Sequence, residues 1–478
     1  MINNIVFVSS EVAPYSKTGG LADVSGALPK ALASLGINVS VVTPLYKTVN
    51  RANLKEQPKG IEVTLGGRSE KFNVFLDESH GSHKVYLLEN QAFFGRDFPY
   101  GTREGDYPDN HLRFSFFSYA IFELIRKYRL NPDVIHCNDW QSALIPLYNH
   151  LFYLGYFNTL ITIHNLAYQG TFPPDVIPDV GLNWELFNPD QVEFYGKINF
   201  LKAGIISANK ISTVSGKYAA EIQTEEFGCG LEGVLRKRSG DLHGILNGAD
   251  YSEWDPSVDN LLPAKFSAED LSGKAACKAA LQKEFSLAVN PGACLIGLVG
   301  RLAAQKGLDL FVEAFERFPG GAQFVLLGTG EKFYEDKAIE LAAKYPEKIG
   351  AKIAYDNRIA HLIEAGCDMF LMPSRYEPCG LNQIYSLRYS TIPIVHATGG
   401  LDDTIADVRS DRENGNGFKF EGYSADNLVK AVSDAVSFYR GEGKFWDSLR
   451  KRVARMDFSW TKSAKKYIDL YSRIVAEV

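Results

Sequence analysis

The stretch Cys367–Thr404 reads CDMFLMPSRYEPCGLNQIYSLRYSTIPIVHATGGLDDT, and it indicates the class of the fold. Its apolar opening, Asp368 to Ser374, predicts a buried parallel strand. A charged, turn-prone loop from Arg375 to Pro378 follows. Gly380 then precedes a predicted helix from Leu381 to Tyr389, so the stretch reads as a strand, a loop and a helix of an α/β sheet.

The loop of this stretch places a carboxylate, Glu377, between the end of a strand and the start of a helix. Free N–H groups at a helix start favour phosphate oxygens, and open α/β sheets bind ligands at this edge. The loop is therefore either part of an anion site or a surface turn in which Glu377 is a solvated charge. A second predicted strand, Ile392 to His396, leads into Thr398-Gly399-Gly400-Leu401.

The totals are ordinary for a soluble globular protein. A chain of 478 residues allows two or three domains. The net charge of −6 and the pI near 5.9 argue against nucleic-acid and anionic-membrane partners, although a few local cations still allow a small anionic ligand. The most apolar window, Leu147–Ile163, is interrupted by polar residues and indicates core rather than a membrane span.

The cysteines and the first residues predict a cytoplasmic protein. None of the six cysteines forms a C-x-x-C pair or has the spacing of metal ligands, so we expect reduced thiols and no metal. The predicted strand Ile5–Ser9 begins almost at the first residue and leaves no room for a signal peptide.

Strands and helices alternate along both halves of the chain, which predicts two doubly wound α/β domains in tandem. Between Tyr251 and Lys274 the pattern loses its period, and we place the boundary there. The predicted domains are residues 1–250 and 251–457, and residues 458–478 form a final helix. Such pairs of domains bind ligands in the cleft between them.

Four local features are predicted outside the opening stretch. Gly66 and Gly67 between two apolar runs indicate a hairpin at a sheet edge. The segment Phe94–Asp109 is rich in Gly, Pro and aromatic residues and predicts a loop that covers part of the molecule. We also expect a helix over Ile198–Ala208 and a strand over Lys352–Tyr355.

Lys17 stands before the tetrapeptide Thr18-Gly19-Gly20-Leu21, which recurs at Thr398–Leu401. A lysine beside two glycines at a helix start offers a diphosphate both a charge and N–H groups. A solvated lysine beside a tight turn gives the same sequence, so both interpretations stay open.

Arg301 and Lys306 are bracketed by Gly300 and Gly307 after the predicted strand Cys294–Val299. Two cations at a strand end can neutralise a leaving diphosphate, and the paired glycines favour this interpretation. An arginine in structural salt bridges would give a similar pattern.

Polar residues end two predicted strands of the first half, in His136-Cys137-Asn138-Asp139-Trp140 and in His164-Asn165. Side chains at strand ends face the ligand crevice of an α/β sheet, and the shared edge carries this argument because single histidines are usually structural. Gly228–Gly233 matches G-x-G-x-x-G, but a helix-like segment precedes it, so we reject a dinucleotide site. Asp402 and Asp403 lack the further carboxylates that a metal site needs.

Taken together, these motifs resemble those of bacterial glycogen synthases, and the chain is similar to plant starch synthases over nearly its whole length. The motifs are Lys17-Thr-Gly-Gly-Leu-Ala-Asp23, His164-Asn-Leu-Ala-Tyr-Gln-Gly170, Asn247-Gly-Ala-Asp250, Gly300-Arg301 with Lys306-Gly307, Glu377-Pro-Cys-Gly-Leu381 and Thr398-Gly-Gly-Leu401. The resemblance implies a GT-B fold, with two Rossmann-like domains facing across a cleft. It implies transfer of glucose, with retention, from ADP-glucose to the 4-hydroxyl of an α-1,4-glucan such as glycogen, with no cofactor.

The resemblance also implies roles for individual residues. The residues that it places near the chemistry are Glu377, His164, Asp139, Arg301 and Lys306. The residues that it places on the donor are Lys17, Gly20, Asp23, Asn247, Arg301, Lys306, Tyr355, Cys379, Gly380 and Leu381. Glu377 would steady an oxocarbenium-like transition state, the two cations would hold the diphosphate, and Tyr355 would pack on the base.

Three departures from the family pattern bear on details. Tyr385 stands where the wider superfamily often has a second Glu, Asn138 and Gln141 stand where many members have histidines, and Asn382 stands where Thr is common. These departures concern the acceptor preference and the donor contacts, not the reaction. Retaining hydrolases use two carboxylates about 5 Å apart, and only one strong candidate is visible here, so same-face attack within an ion pair is the expected route.

Several alternatives remain open from the sequence. The nearest is a glucosyltransferase that uses UDP-glucose or another acceptor; a phosphorylase with a pyridoxal cofactor and a non-catalytic glucan-binding protein are others. The resemblance further implies that the final helix crosses back to the first domain. Completion of the second domain's core by that helix is the alternative.

Overall fold

The computed structural model describes residues 2–102 and 104–477, and the chain divides into two compact units. One unit is Met1–Asn247 together with Trp460–Val478, and the other is Gly248–Ser459. Each unit contains a large sheet of mainly parallel strands connected by helices. The predicted class, two doubly wound α/β domains, is therefore confirmed.

The first unit contains a ten-stranded sheet in which an antiparallel hairpin extends one edge. The predicted hairpin at Gly66 and Gly67 is confirmed, and the positive φ angles of both glycines (55° and 76°) suit its tight turn. The strands, in order across the sheet, are Leu242–Gly244, Lys210–Thr213, Thr159–Ile163, Val134–Asn138, Asn4–Val8, Asn38–Pro44, Lys84–Glu89, Arg68–Asp77 and Lys55–Glu56, with Ile61–Leu65 paired to Arg68–Asp77.

The helices of the first unit include the last element of the chain. They are Gly20–Ser34, Gln91–Phe94, Asn110–Tyr128, Leu144–Tyr153, Phe200–Ser207, Gly216–Glu221, Glu232–Lys237 and Trp460–Ala476. Short strand pairs are formed by Gly101–Thr102 with Gly105–Asp106, and by Lys197–Asn199 with Thr171–Phe172 and Glu193–Phe194.

The second unit contains a six-stranded sheet that is parallel throughout. Its strands lie in the order Ile349–Ile353, Ala322–Gly328, Cys294–Val299, Met369–Met372, Ile392–His396 and Phe418–Phe420. Its helices are Ser272–Glu284, Leu308–Ala314, Lys332–Lys344, Asn357–Gly366, Asn382–Arg388, Gly399–Thr404, Ala425–Gly441 and Gly443–Ala454. Buried aliphatic and aromatic side chains of the strands and helices form one continuous core.

Both sheets reverse their strand order at one point, and that point positions the candidate site. In the second unit the reversal lies between Cys294–Val299 and Met369–Met372, and in the first between Asn4–Val8 and Val134–Asn138. At such a switch point the connections leave in opposite directions, which opens a crevice at the carboxyl ends of the two strands.

The C-terminal helix Trp460–Ala476 packs within the first unit. Its apolar face is buried, and the Tyr471 hydroxyl hydrogen-bonds His136 Nδ1 at 2.8 Å. Ser463 Oγ donates to the carbonyl of Leu246. No helix in the described ranges has the length and apolar character to cross a membrane.

The strand predicted over Asp368–Ser374 is shorter, Met369–Met372, and two further predicted elements begin or end at other residues than predicted. The helix predicted over Ile198–Ala208 begins only at Phe200, because Asn199 ends a short strand and its side chain accepts the N–H of Lys202 as an N-cap. The strand predicted over Lys352–Tyr355 is Ile349–Ile353, since the chain must leave the sheet before Asp356 caps the next helix.

Candidate active site

The candidate site in the second unit is built on the two strands that flank the switch point. The loop after Cys294–Val299 carries Arg301 and Lys306, and the loop after Met369–Met372 carries Glu377. Lys306 Nζ lies 2.6 Å from Glu377 Oε2, and Ser374 Oγ donates to the same oxygen at 3.0 Å. The structure thus joins two residues that are 71 positions apart in the sequence.

The Lys306–Glu377 pair lies at the edge of the core rather than on the surface. The Glu377 side chain is 7% exposed and that of Lys306 is 29% exposed. In the described part of the chain, the hydrogen bonds to the Glu377 carboxylate come from Lys306 and Ser374, not from a second carboxyl group. The site therefore offers one buried carboxylate with a cation beside it.

Two glycines allow the loops around this pair to approach each other. Gly307 has φ 77°, and a Cβ there would lie 2.0 Å from the carbonyl oxygen of Pro373. Gly399 has φ 47°, and a Cβ there would lie 2.0 Å from the carbonyl oxygen of Glu377. The N–H of Gly400 donates to that same oxygen at 3.1 Å. Glycine is required at these positions by both backbone angle and space.

The other predicted donor residues of the second unit surround the same loops. Arg301 is exposed, and its Nη2 donates to Gln305 Oε1 at 2.7 Å. The N–H groups of Gly380 and Leu381, just before the helix Asn382–Arg388, form no hydrogen bond within the described ranges. Cys379 is buried, and its carbonyl accepts Gln383 Nε2 at 3.0 Å. This arrangement presents N–H donors and cations on the same side of the sheet.

Tyr355 lies in the loop after Ile349–Ile353, and 79% of it is exposed. It does not contact the Lys306–Glu377 pair, although it follows a neighbouring part of the same sheet edge. An exposed ring at a strand end is available for stacking on a flat ligand.

Tyr385 occupies the position at which a second carboxylate was considered, and it is part of the packing. Its ring stacks on Trp254 with centroids 4.1 Å apart, and Trp254 stacks on His361 at 3.8 Å. Asp259 Oδ2 accepts from His361 Nδ1 and from the Tyr389 hydroxyl, both at 2.7 Å. This stack fixes the helix that follows Gly380 and Leu381.

The switch point of the first unit carries the Lys17 loop. Lys17 Nζ pairs with Asp23 Oδ1 at 2.6 Å, and burial of Asp23 raises the pKa of its carboxyl group although Lys17 opposes the shift. Gly19 and Gly20 are exposed at the start of the helix Gly20–Ser34, and a Cβ at Gly20 would meet nothing within 4 Å. The loop therefore presents a helix start to open space.

Glu11 holds this loop in place and was missed from the sequence. Its buried carboxylate accepts Thr18 Oγ1 at 2.6 Å, the Thr18 N–H, and the Tyr100 hydroxyl at 2.6 Å. Tyr100 belongs to the segment predicted to cover part of the molecule, and its contact with Glu11 agrees with that prediction. The signal that could have found Glu11 is a carboxylate three residues after the end of the buried strand Asn4–Val8.

Asp139 and His164 are joined at the ends of adjacent strands. Asp139 Oδ1 accepts the backbone N–H of His164 at 2.7 Å, and Asp139 has a positive φ of 55°. Burial raises the pKa of the Asp139 carboxyl group to about 7, although hydrogen bonds from the His164 and Asn165 backbone lower it. The position thus combines backbone strain with a carboxyl group that titrates near neutrality.

His164 is a neutral imidazole. Burial lowers its pKa to about 3, and its Nε2 lies 2.9 Å from Asn138 Oδ1. Asn138 Nδ2 donates to the Val8 carbonyl, so Oδ1 must accept and His164 Nε2 must carry the proton. His164 Nδ1 is then a hydrogen-bond acceptor.

The structure also places His136 and Asn247, two further residues that were singled out in the sequence. His136 does not face a ligand crevice, because it is completely buried and hydrogen-bonds Tyr471 and Thr162. It lies inside the strand Val134–Asn138 rather than at its end, so the prediction for this histidine is wrong. Asn247 is buried at the last position of the first unit, and its Oδ1 has no hydrogen-bond partner in the described part of the chain.

Two further motifs were considered in the sequence, the Asp402-Asp403 pair and the segment Gly228–Gly233. Within the described ranges, no group of three or more His, Cys, Asp or Glu side chains is placed to hold a metal ion. Asp402 pairs with Lys419 at 2.6 Å. Gly228–Gly233 follows a helix and a turn, not a strand.

Comparison with known proteins gives full-length matches. The family described as Starch synthase catalytic domain matches residues 4–237, and Glycosyl transferases group 1 matches residues 281–442. A glycogen synthase of Koribacter versatilis is 47% identical over 476 residues, which cover 98% of each chain. A glycogen synthase of Geotalea daltonii is 45% identical and covers 99% of each chain.

A solved structure agrees with these matches. The catalytic domain of starch synthase IV from Arabidopsis thaliana, which was solved bound to ADP and acarbose, superposes with a TM-score of 0.91. It is 34% identical and covers 100% of both chains.

Proposed function

Because the chain belongs to the family of bacterial glycogen synthases and starch synthases, we propose that ADP-glucose is its donor and that the residues described above form its active site. The enzyme is a glycosyltransferase with the GT-B fold, and it transfers glucose from a nucleotide sugar to a glucan. The choice of the adenine nucleotide and the roles of single residues are the parts that we propose.

The observation that carries the proposal is the Lys306–Glu377 pair at a topological switch point, with Arg301 in the same loop as the lysine. Transfer from a nucleotide sugar releases a diphosphate, so the barrier falls when cations meet the charge that develops on the leaving group. We assign this role to Arg301 and Lys306, assisted by the N–H groups of Gly380 and Leu381. Lys17 and Gly20 would supply further donors to the same phosphates.

Glu377 has a complementary role in this proposal. As the bond to the diphosphate breaks, positive charge develops on the glucose ring, and a carboxylate beside it lowers the energy of the transition state. Its ion pair with Lys306 places the carboxylate and the phosphate-binding cation next to each other. With a single carboxylate, same-face attack by the acceptor is the route that retains the anomeric configuration, and the departing phosphate accepts the proton.

The first unit contributes polar groups for the sugars. Neutral His164 can accept a sugar hydroxyl at Nδ1, since its Nε2–H is held by Asn138. Asp139 provides a carboxyl group whose pKa burial raises to about 7. Asp23 and Asn247 would be further donor contacts, and the Asn247 Oδ1, which has no hydrogen-bond partner among the described residues, is suited to a ligand hydroxyl.

The choice of ADP-glucose rests on the Lys-Thr-Gly-Gly-Leu resemblance and on the exposed Tyr355 ring, which suits a base; the related starch synthase was solved with ADP. The test is nucleotide release from ADP-glucose and from UDP-glucose, each with and without glycogen. We expect glycogen-dependent release of ADP at the higher kcat/KM. A higher kcat/KM for UDP-glucose would overturn the donor assignment.

We also propose a cytoplasmic location. All six cysteines are free thiols, as expected for a protein in a reducing compartment.

A further inference from the structure

A cavity of about 250 Å³ in the first unit lies outside the site described above. Its lining residues are Glu193, Phe194, Tyr195, Lys202, Gly230 and Val234. Gly230 belongs to the G-x-G-x-x-G segment that was rejected as a dinucleotide site, so this segment still lacks a role. We propose that the cavity is a subsite for a glucosyl unit of the acceptor glucan, which rests on the proposed function.

The cavity wall is an exposed aromatic ring in an unusual backbone setting. Tyr195 and Gly196 form the turn between Glu193–Phe194 and Lys197–Asn199, with φ angles of 49° and 76°. A bulky residue at positive φ is uncommon, and Asn or Gly is preferred in such turns. Tyr195 nevertheless occupies this position with 80% of its surface exposed. The turn therefore presents the Tyr195 ring beside the cavity, where a ligand can reach it.

Gly230 lets the rings come close to the floor of the cavity. Its φ is 83°, and a Cβ would lie 2.9 Å from Phe194 Cζ and 3.1 Å from Tyr195 Cε2. The Phe194 and Tyr195 rings meet edge to face with centroids 4.8 Å apart. The glycine thus supports a two-ring wall, and the C–H faces of a sugar ring pack well on aromatic surfaces of this kind.

Lys202 supplies a buried hydrogen-bond donor to the cavity. It is 5% exposed, and its Nζ donates to the carbonyls of Pro189 and Glu193, both at 2.6 Å. An ammonium group has three N–H bonds, and within the described ranges the third has no protein acceptor. The Glu193 carboxylate uses Oε1 to accept the Gly196 N–H and leaves Oε2 as an acceptor.

The charges and the aromatic wall of the cavity indicate the class of ligand that it binds. Lys202 and Glu193 carry opposite charges, so the cavity has no excess of cations for a phosphate or another anion. An aromatic wall with one donor and one acceptor fits a neutral polyhydroxyl ring. The enzyme's acceptor is a polymer of such rings.

A hydrogen-bond chain connects the cavity with the loop that carries His164. Gln169 Nε2 donates to the Cys229 carbonyl at 3.1 Å, beside Gly230. Gln169 Oε1 accepts Asn199 Nδ2 at 2.6 Å, and Asn199 caps the helix that contains Lys202. The subsite and the His164–Gly170 loop therefore form one hydrogen-bonded region. A long glucan held at this second point gains effective concentration at the reacting end, whereas a short one does not.

The test removes the ring without disturbing the turn. Tyr195→Asn suits the positive φ, and Tyr195→Phe keeps the aromatic wall. Tyr156→Asn is the matched control, because Tyr156 is 81% exposed and its ring also meets a neighbouring Phe edge to face, at 4.9 Å. Binding is measured by electrophoresis of the full-length proteins in native gels that contain glycogen, without any nucleotide sugar, so the result does not depend on transferase activity.

We expect Tyr195→Asn to weaken binding to glycogen roughly three- to tenfold, the range that loss of one aromatic contact gives. Tyr195→Phe and Tyr156→Asn should migrate as the wild type does. In transfer assays the KM for glycogen should rise in Tyr195→Asn while the KM for maltotriose and for the donor stays the same. The proposal would be overturned if glycogen retarded Tyr195→Asn as strongly as the wild type. It would also be overturned if Tyr156→Asn lost as much binding to glycogen as Tyr195→Asn. A chain that binds glycogen through Tyr195 but transfers no glucose would overturn the proposed function alone.

Discussion

At the scale of single residues, the proposed mechanism depends on one buried carboxylate and the cation beside it. Glu377 and Lys306 meet where two strand-end loops converge, and Ser374 completes the hydrogen bonding. Substitution of a residue that acts on the transition state lowers kcat, whereas substitution of a residue that stabilises the fold lowers Tm. We propose Glu377 as a residue of the first kind, and Asp368, which forms a buried ion pair with Lys278, is an example of the second.

Glu377→Gln should lower kcat by roughly two to three orders of magnitude, the usual loss when one electrostatic group is removed, and should leave the KM for the donor nearly unchanged. The amide still accepts from Ser374, so the thermal transition should stay close to that of the wild type. The measurements are steady-state kinetics with ADP-glucose and a melting curve.

Asp368→Asn is the control, since Asp368 precedes the opposite end of the same strand and forms a buried pair with Lys278 at 2.7 Å. Its loss should lower Tm while kcat of the folded protein is kept, because a buried cation is left unpaired. Near-normal turnover of Glu377→Gln would remove Glu377 from the mechanism.

The pKa of Asp139 gives a prediction about stability and pH. Burial raises this pKa from 3.8 to about 7, so between these values the native state binds a proton that the unfolded chain has lost. The native state is therefore stabilised at low pH, and this contribution is lost as pH rises through about 7. Asp139→Asn removes the titration and keeps a residue that tolerates the positive φ, so its Tm relative to the wild type should be higher at pH 8 than at pH 5.

Asp407→Asn serves as the reference for that experiment. Burial raises the pKa of Asp407, but hydrogen bonds from the Arg409 side chain and the Lys419 backbone lower it below its ordinary value overall. Asp407 is therefore ionised in both states between pH 5 and pH 8, and the Tm difference of Asp407→Asn should be constant over that range. A Tm difference for Asp139→Asn that is equally constant would contradict the raised pKa.

At the scale of elements, the tetrapeptide Thr-Gly-Gly-Leu has different surroundings in the two units. Gly19 and Gly20 lie exposed at a helix start. Gly399 and Gly400 are buried against the backbone of Glu377 and Cys379, where a Cβ would lie 2.0 Å from a carbonyl oxygen in each case. The sequence alone does not distinguish a glycine that faces open space from a glycine that is packed against the protein backbone.

Substitution by alanine of the second glycine of each tetrapeptide, Gly20 and Gly400, should distinguish the exposed position from the buried one. Gly400→Ala should destabilise the second unit by about 1–3 kcal/mol through overpacking, seen as a lower Tm. Gly20→Ala should keep Tm, since alanine suits a helix, and should raise the KM for the donor roughly tenfold by keeping phosphate away from the helix start. A lowered Tm in Gly20→Ala, or an unchanged one in Gly400→Ala, would contradict this distinction.

The elements also show what sequence patterns can and cannot provide. Cys294–Val299 and Ile392–His396 were predicted to the residue, because continuous apolar runs between glycines and polar turns define buried parallel strands. The short strand Phe418–Phe420 and the helix Gly399–Thr404 were missed, since three to six residues carry no readable period. Glu11 and the Trp254–Tyr385 stack were missed because they depend on contacts between distant segments.

At the scale of the whole molecule, the chain passes between its two units twice, after Asn247 and after Ser459. The first unit contains the buried face of the C-terminal helix, including Trp460, Tyr467 and Tyr471. Within the second unit the two connecting segments are joined, because the Ala249 N–H donates to the Phe458 carbonyl at 2.8 Å. The last helix therefore stabilises the unit that contains the N-terminal part of the chain.

Truncation after Asp457 should abolish activity and expose apolar surface of the first unit, detected as increased binding of a hydrophobic dye. A fragment spanning 248–459 should keep a cooperative thermal transition, since its core is continuous without the last helix. Failure of that fragment to fold unless residues 460–478 are restored would show that the helix completes the second unit.

The central claim is that Arg301 and Lys306 act together on one diphosphate leaving group. A double-mutant cycle on kcat/KM for ADP-glucose tests it most directly, with Arg301→Ala, Lys306→Ala and the double variant, each checked for an intact thermal transition. We expect each single change to cripple transfer, and the loss in the double variant to be well below the product of the two single losses, because both cations serve the same group. Losses that multiply, or a thermal transition lost in the single variants, would contradict the claim.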